Sequence, residues 1–371
     1  MLGAMADFHI SGVFKILVLY DVAEEIRLEG IRPRDGSARA ASEPGPKPAA
    51  PEYAHVGRTP VIESIEPVRM KSGEELTGKI KYYDYGVVSL ELDLPFEGDW
   101  TTLIELSSRW IGAPDIDGST VKTVERHLKK VAPALVKPYT SWLSEDYYII
   151  HLEQASRGGG PRLTAENLLQ EYGVPIAQII RGEKIQLSNA ERKEVLDAAI
   201  SYYPSDLLIV GWTAALVYDT PEGAMSVLQL LEHANAHLLE LRHYDTILTE
   251  VLGAVYSSLD RRGGILWRWR LGGDAHRLNT IRLDVKELTE RADVSLKFLS
   301  DMFYARVYRL ASTRIGVPDY RNLVEDKLRT AAELYQFMVD EFHQSRAFVL
   351  ELMIVIILVI DLIFLFRGPA K

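Results

Sequence analysis

The chain has 371 residues, a formal net charge of −10, 47% hydrophobic residues and no cysteine. That length suits two domains with a sizeable core, and the acidic balance excludes a generally nucleic-acid-binding surface, leaving only a local patch for that purpose. Without cysteine there are no disulfides and no thiolate metal sites, which fits a reducing compartment.

Residues 13–20 (VFKILVLY) carry the β-branched and aromatic bias of a strand. Asp21 is placed to cap a short helix, VAEEIRLEG, closed by Gly30. The apolar run is too short for a signal peptide and is followed at once by acids, so none is expected. Residues 1–31 thus form a first strand–helix unit. Residues 32–60, rich in Pro, Ala and Gly around EPGPKPAAP, cannot bury a core and read as a linker or loop.

Residues 61–223 read as an α+β domain. Segments 75–85 and 86–94 form two strands, the second (GVVSLELDL) alternating apolar and polar residues, with Asp84-Tyr85-Gly86 as the turn. Helices are expected at 100–111 and 120–135, and another strand at 147–152. That order suggests an α+β sandwich, with a ferredoxin-like arrangement as one form of it. The loop Arg157-Gly-Gly-Gly-Pro161 lacks the Lys-Ser/Thr ending of a phosphate loop. Helices follow at 163–172 and 188–202, then a buried strand at 206–218 broken near Gly211.

From residue 224 to 346 the apolar period becomes seven. Leu231, Ala234, Leu238, Leu241, Asp245, Leu248, Leu252, Val255 and Leu259 form a coiled-coil-like seam in which Asp245 needs a partner, because an unpaired buried carboxylate is costly. Two further seams run from Leu278 to Met302 and from Val324 to Leu352, separated by Gly316-Val-Pro318-Asp319. These describe a helical hairpin packed on a further long helix. Residues 347–366, AFVLELMIVIILVIDLIFLF, are long enough for a helix of about 30 Å, the thickness of a bilayer core. They are expected to form one C-terminal transmembrane helix, with Glu351 and Asp361 as its polar groups. Each acid either reaches headgroups near a helix end or serves a helix–helix contact or ion path. The expected location is a single-pass membrane protein with its body on the cytoplasmic side, a bacterial inner membrane being favoured.

Three stretches together resemble the family named for "required for meiotic nuclear division", which has bacterial, fungal and mitochondrial members. They are Tyr83-Asp84-Tyr85-Gly86-Val87-Val88; Leu231-Glu232-His233-Ala234-Asn235 with Leu239-Glu240-Leu241-Arg242-His243-Tyr244-Asp245; and Leu350-Glu351-Leu352-Met353-Ile354-Val355-Ile356. The likeness spans roughly residues 75–367. It implies a membrane-anchored protein with no established reaction, and it marks Asp84, Tyr85, Gly86, Glu240, Arg242, Tyr244 and Asp245 as family-motif positions.

Two constellations compete with plain structural roles. His233, His237 and Glu240 share one helix face at i, i+4 and i+7 and could hold a divalent metal, although no cofactor is required; the alternative is a packed polar face with satisfied histidines. Arg261, Arg262, Trp267, Arg268, Trp269 and Arg270 interleave guanidinium and indole groups, and Arg277 and Arg282 extend the basic stretch, in which Asp274 is the one acid. They could grip phosphate or RNA, lie on a membrane surface, or simply connect two helices. No Ser-His-Asp or Cys-His order stands out. The function expected is that of a scaffold or interaction protein holding a partner at a membrane. Expected partners are the lipid bilayer and a protein or second copy, with nucleic acid or a ribosome as a further option. The alternatives are a metal-dependent hydrolase or an RNA or ribosome tether.

Overall fold

The structure, a computed structural model, describes residues 8–31, 59–70, 73–113, 116–158, 160–260 and 302–367, with Thr280, Ile281, Leu283 and Lys286 besides. It divides into two compact units, Met1–His243 with Leu288–Tyr320, and Tyr244–Glu287 with Arg321–Lys371.

The first unit is built on eight strands: β1 (Phe8–Ile26), β2 (Val61–Arg69), β3 (Glu75–Tyr82), β4 (Val87–Gly98), β5 (Leu135–Arg157), β6 (Ala199–Ile200), β7 (Leu207–Val210) and β8 (Ala214–Tyr218). Their order is β2-β3-β4-β1-β5-β8-β7-β6, antiparallel throughout except for the parallel pair β5–β8. Side chains alternate between the two faces. Phe14, Ile16, Val18 and Tyr20 of β1 join a core with Tyr148, Ile150 and Leu152 of β5, covered by α1 (Trp100–Trp110), α2 (Ile116–Val131), α3 (Ala165–Arg181) and α4 (Asn189–Leu196). Leu17, Leu19, Tyr147 and Ile149 face the other way, beneath the first part of α5 (Pro221–Asp260) and α6 (Met302–Ile315). A strand buried on both faces reads as a continuous apolar run, which is what ILVLY is.

This sheet corrects the expected ferredoxin-like α+β domain, because the strands run much further than their apolar centres. Residues 22–26, expected to be helical, continue β1: Val22, Ala23 and Ile26 are buried, and Ala23, Glu25 and Ile26 pair with Pro138, Val136 and Leu135 of β5 after a register shift. The expected strand 147–152 is the centre of the 23-residue β5. The helix expected at 188–202 stops at Leu196, and residues 206–218 form two strands whose turn closes with Gly211 N donating to Ala214 O at 2.8 Å. The turn at Asp84-Tyr85-Gly86 forms where the dipeptide chemistry places it.

In the second unit the end of α5 packs Leu248, Val251 and Leu252 against Val324, Leu328 and Ala331 of α7 (Val317–Arg367). Asp245, the charged member of the first seam, pairs with Lys327, whose Nζ also donates to Thr249 Oγ1 at 2.6 Å. The side chains of Val255 and Leu259, and most of the other two seams, lie outside the described residues.

Among the described residues no helix is long and apolar enough to cross a membrane, which corrects the expected transmembrane helix and the membrane location built on it. The expected segment 347–366 has described side chains at residues 353–359 alone. Those seven apolar side chains are each 48–60% exposed. The side chains of Glu351 and Asp361 are outside the described residues.

One glycine holds the β3–β4 turn against β1. Gly86 has φ +90°, its carbonyl accepts Val22 N at 3.1 Å, and an added Cβ would lie 1.8 Å from Ala23 O. Gly86→Ala is therefore expected to destabilise the chain by more than about 2 kcal/mol in urea unfolding, from left-handed strain and a clash with backbone. An unchanged midpoint would contradict this close approach.

Candidate functional site

The half of the sheet that α5 covers over β1, β3 and β4 is charged. Register sets this up: Lys15 of β1 lies opposite Asp93 of β4, Leu17 opposite Glu91, and Lys79 of β3 on the other side of Glu91. Lys81 lies opposite Ser89, on the same face. Glu91 is the hub. Its carboxylate accepts from Lys15 at 2.9 Å and lies 3.2 Å from Lys79 and 2.8 Å from Lys81. Lys15 also donates to Asp93 at 2.7 Å. Lys81 then donates upward to Glu232 of α5, a residue only 2% exposed.

Burial pushes the Glu91 carboxyl up, yet the ammoniums of Lys81, Lys15 and Lys79 outweigh it and hold the group well below the usual carboxylate range. Burial likewise pushes the Lys81 ammonium down, and Glu232 and Glu91 more than reverse this. Both groups are charged at neutral pH. Burying such charges is costly unless each is paired, and here each has a partner.

Tyrosines and histidines extend the polar face. Tyr83 and Tyr85 stack with ring centroids 5.2 Å apart; burial, then Glu232, raises the Tyr83 phenol well above its usual value, and burial, then Tyr83 and Glu240, does the same to Tyr85. Asp21 of β1 meets His243 Nδ1 at 2.8 Å, and the His243 ring stacks on Tyr139 at 4.7 Å. Burial raises the Asp21 carboxyl, with His243 opposing it. Arg242 pairs with Glu145 of β5. So three side chains of α5, Glu232, Arg242 and His243, tie one helix to three different strands.

Of the expected metal trio, His237 Nδ1 lies 3.0 Å from Tyr308 Oη of α6, and the His233 ring centroid is 5.6 Å from that of Tyr308. Burial lowers His233 to about 4, so its ring is neutral at physiological pH. Glu240 is buried near Tyr85. Among the described residues no group of three or more His, Asp or Glu side chains is arranged to hold a metal. Of the motif positions, Asp84, Tyr85 and Gly86 form the β3–β4 turn, whose Asp84 O accepts Ile26 N at 3.0 Å, and Glu240 and Arg242 lie on α5 above the sheet. Tyr244 and Asp245 belong to the second unit, where Tyr244 packs beside the Leu248 cluster. Arg261, Arg262, Trp267, Arg268, Trp269 and Arg270 lie outside the described residues.

Sequence reasoning missed Lys15, Lys79, Lys81, Glu91 and Asp93, because alternating charges on a strand ordinarily mark a solvated face. The available signal was complementarity: KIK on β3 beside LELD on β4, and a lone Glu232 next to the apolar seam of α5.

A family model described as the N-terminal domain of the uncharacterized protein MJ0711 matches residues 11–225. The uncharacterized protein MJ0711 of Methanocaldococcus jannaschii is 20% identical over 198 residues, covering 53% of this chain and 61% of that protein. The chain thus spans about three fifths of that relative's length. No solved structure matches the chain. These matches correct the resemblance to the meiotic nuclear division family. Of the three stretches that carried it, only residues 83–88 fall inside the matched region, and short motifs of common residues arise without kinship.

Removing the middle of the ion chain should be severe. Lys81→Met leaves Glu232 and Glu91 buried without their shared ammonium, and is expected to cost about 3–5 kcal/mol in urea unfolding; a loss below about 1 kcal/mol would contradict the pairing. His233 gives a pH signature. Its folded value, about 4, lies below the ordinary value of about 6.5, so the unfolded chain takes up the proton first. The contribution is complete above about pH 6.5 and is lost as pH falls towards 4, up to about 3 kcal/mol. His233→Gln should flatten the stability profile across that window, and a parallel profile would contradict it.

Proposed function

Starting from the premise that the chain belongs to the family of the uncharacterized MJ0711 N-terminal domain, we propose that it is an interaction or scaffold protein. Its sheet unit presents a surface to a protein partner. The observation that carries this is an exposed aromatic cluster of the first unit. Tyr202 and Tyr203, between β6 and β7, and Met302, at the start of α6, are 55–82% exposed. The Tyr202 ring lies 4.7 Å from Tyr203 and 5.1 Å from Phe303, and Phe303 lies 5.6 Å from Tyr304.

This cluster is held in place. Both carboxylate oxygens of Asp206 accept backbone amides, from Tyr202 and Tyr203, each at 2.8 Å. Phe303 and Tyr304, in the first turn of α6, are partly buried and pack against the core beneath α5. Rigid tyrosines beside a methionine offer large contact area at small entropic cost, the composition that concentrates binding energy at protein interfaces. In the second unit, residues 353–359 add another uncovered apolar surface. The charged groups under α5 are engaged with one another, which supports a structural role for them.

The test is photocrosslinking in cells from a full-length chain carrying a photoreactive residue in place of Tyr203. A discrete protein adduct is expected, several-fold weaker when Met302→Ser is added and absent when the probe replaces the exposed Glu105. No adduct from position 203, or equal yields from positions 203 and 105, would overturn the proposal.

A further inference from the structure

The exposed tyrosines lie at one end of a longer strip that follows α6. Val307, Tyr308, Ala311 and Ile315 bury one side of this helix, and Met302, Arg306 and Arg309 are exposed on the other. Their spacing, i, i+4 and i+7, puts these three on one stripe, with successive Cβ atoms about 5–6 Å apart. Aromatic groups stand at both ends of it. Beside the first turn, the Tyr202 ring lies 5.1 Å from that of Phe303. Trp212, in the β7–β8 turn, is 57% exposed, and its indole lies 3.3 Å from where a Cβ on Gly316 would sit, just past the last turn. A helix of 14 residues is about 21 Å long, so the strip runs for about 20 Å between the two aromatic ends.

The charge along the strip is positive. Arg314, on the flank of α6, pairs with Glu194, and Arg181 of α3 pairs with Glu191. Arg306 and Arg309 form no ion pair among the described residues. The acid beside the tyrosines, Asp206, accepts the amides of Tyr202 and Tyr203 with its two oxygens. In a chain of net charge −10, two neighbouring guanidiniums on one helical stripe are a local reversal of sign. Trp, Tyr, Arg and Met are the residue types enriched where protein interfaces concentrate their binding energy. A guanidinium matches a carboxylate with two parallel hydrogen bonds.

We infer that this strip, from Tyr203 along α6 to Trp212, docks an acidic segment of a partner protein. Carboxylates of the segment meet Arg306 and Arg309, and its apolar side chains meet the aromatic ends. The inference rests on the interaction reading above and gives the partner its chemistry. An extended segment of about six residues spans the strip. Nucleic acid fits less well, because a groove that follows a phosphate backbone carries cations along its length, and this strip has two, on a chain that is acidic as a whole.

The experiment is selection from a random peptide library on the purified full chain, with peptides of about twelve residues so that they exceed the strip in extended form, followed by anisotropy titration with the enriched peptides. These are expected to carry an excess of Asp and Glu beside an aromatic or aliphatic residue, and to lose affinity as salt rises. Arg306→Glu with Arg309→Glu is expected to weaken them at least tenfold, and Tyr203→Ser with Trp212→Ser at least fivefold. The matched reversal on exposed positions of α2, across the sheet, Arg126→Glu with Lys129→Glu, is expected to leave affinity within twofold; a loss there equal to that of the α6 reversal overturns the assignment as unspecific attraction. Peptides without acidic excess that need Tyr203 but bind the α6 reversal equally well leave the interaction reading standing and overturn the acidic partner. Tighter binding of poly-uridylate RNA than of any peptide, lost in the α6 reversal, overturns it in favour of nucleic acid. Enrichment of no peptide sensitive to Tyr203→Ser overturns the inference, and the crosslink from position 203 then decides the interaction reading by itself.

Discussion

The Lys81 ammonium lies between Glu91 of the sheet and Glu232 of α5, and the arrangement of the first unit depends on it. Without a cation there, two buried carboxylates would face each other across the helix–sheet interface. With it, three ammoniums (Lys15, Lys79, Lys81) meet three carboxylates (Glu91, Asp93, Glu232) in a closed set. Apolar residues in these positions would pack as well or better in energy alone. What the ions add is register. A one-residue slip of β3 or β4 would turn the charges into the opposite, apolar core, and a one-turn slide of α5 would separate Glu232 from Lys81. Asp21–His243 and Arg242–Glu145 extend the same logic along the helix, so that α5 has one permitted position over β1, β3 and β5.

Much of the local structure is legible from residue order. The alternation of GVVSLELDL gives β4, Asp84-Tyr85-Gly86 gives its turn, and the helix expected at 100–111 forms from Trp100 to Trp110. The apolar stripe of α5 is equally plain, but it is not the expected coiled-coil seam: Leu231, Ala234, Leu238 and Leu241 pack in the core against the sheet, and Asp245 pairs with Lys327. Strand length is not legible, because it depends on the neighbour. LVKPYTSW at the start of β5 has weak strand character and is extended because β1 lies beside it, while VAEEI at the end of β1 is extended because β5 does. Local preference and cross-strand pairing disagreed in both segments, and pairing prevailed.

The charged face was hidden for a related reason. Period-two charge is the ordinary mark of a strand open to water, and only the placement of α5 above β3 and β4 converts that pattern into a buried network. The covering element lies some 150 positions away in sequence, as the Lys81–Glu232 pair records. The family match adds to this picture: residues 11–225 contain the whole sheet from Ser11 of β1 through β8 and stop as α5 begins. Lys15, Lys81 and Glu91 thus lie inside the matched region, and Glu232 lies beyond it. The sheet carries Glu91 and its three ammoniums, and the helix beyond the match supplies the second carboxylate on Lys81.

Native-state hydrogen exchange, comparing the amides of α5 at residues 231–241 with those of β1 at residues 16–20, tests the clamp most directly. If the ion pairs fix the helix to the sheet, the two sets open together with one free energy, that of global unfolding. If the α5 amides exchange through a separate opening of markedly lower free energy, the helix is merely laid on the sheet, and the buried charges do not hold it.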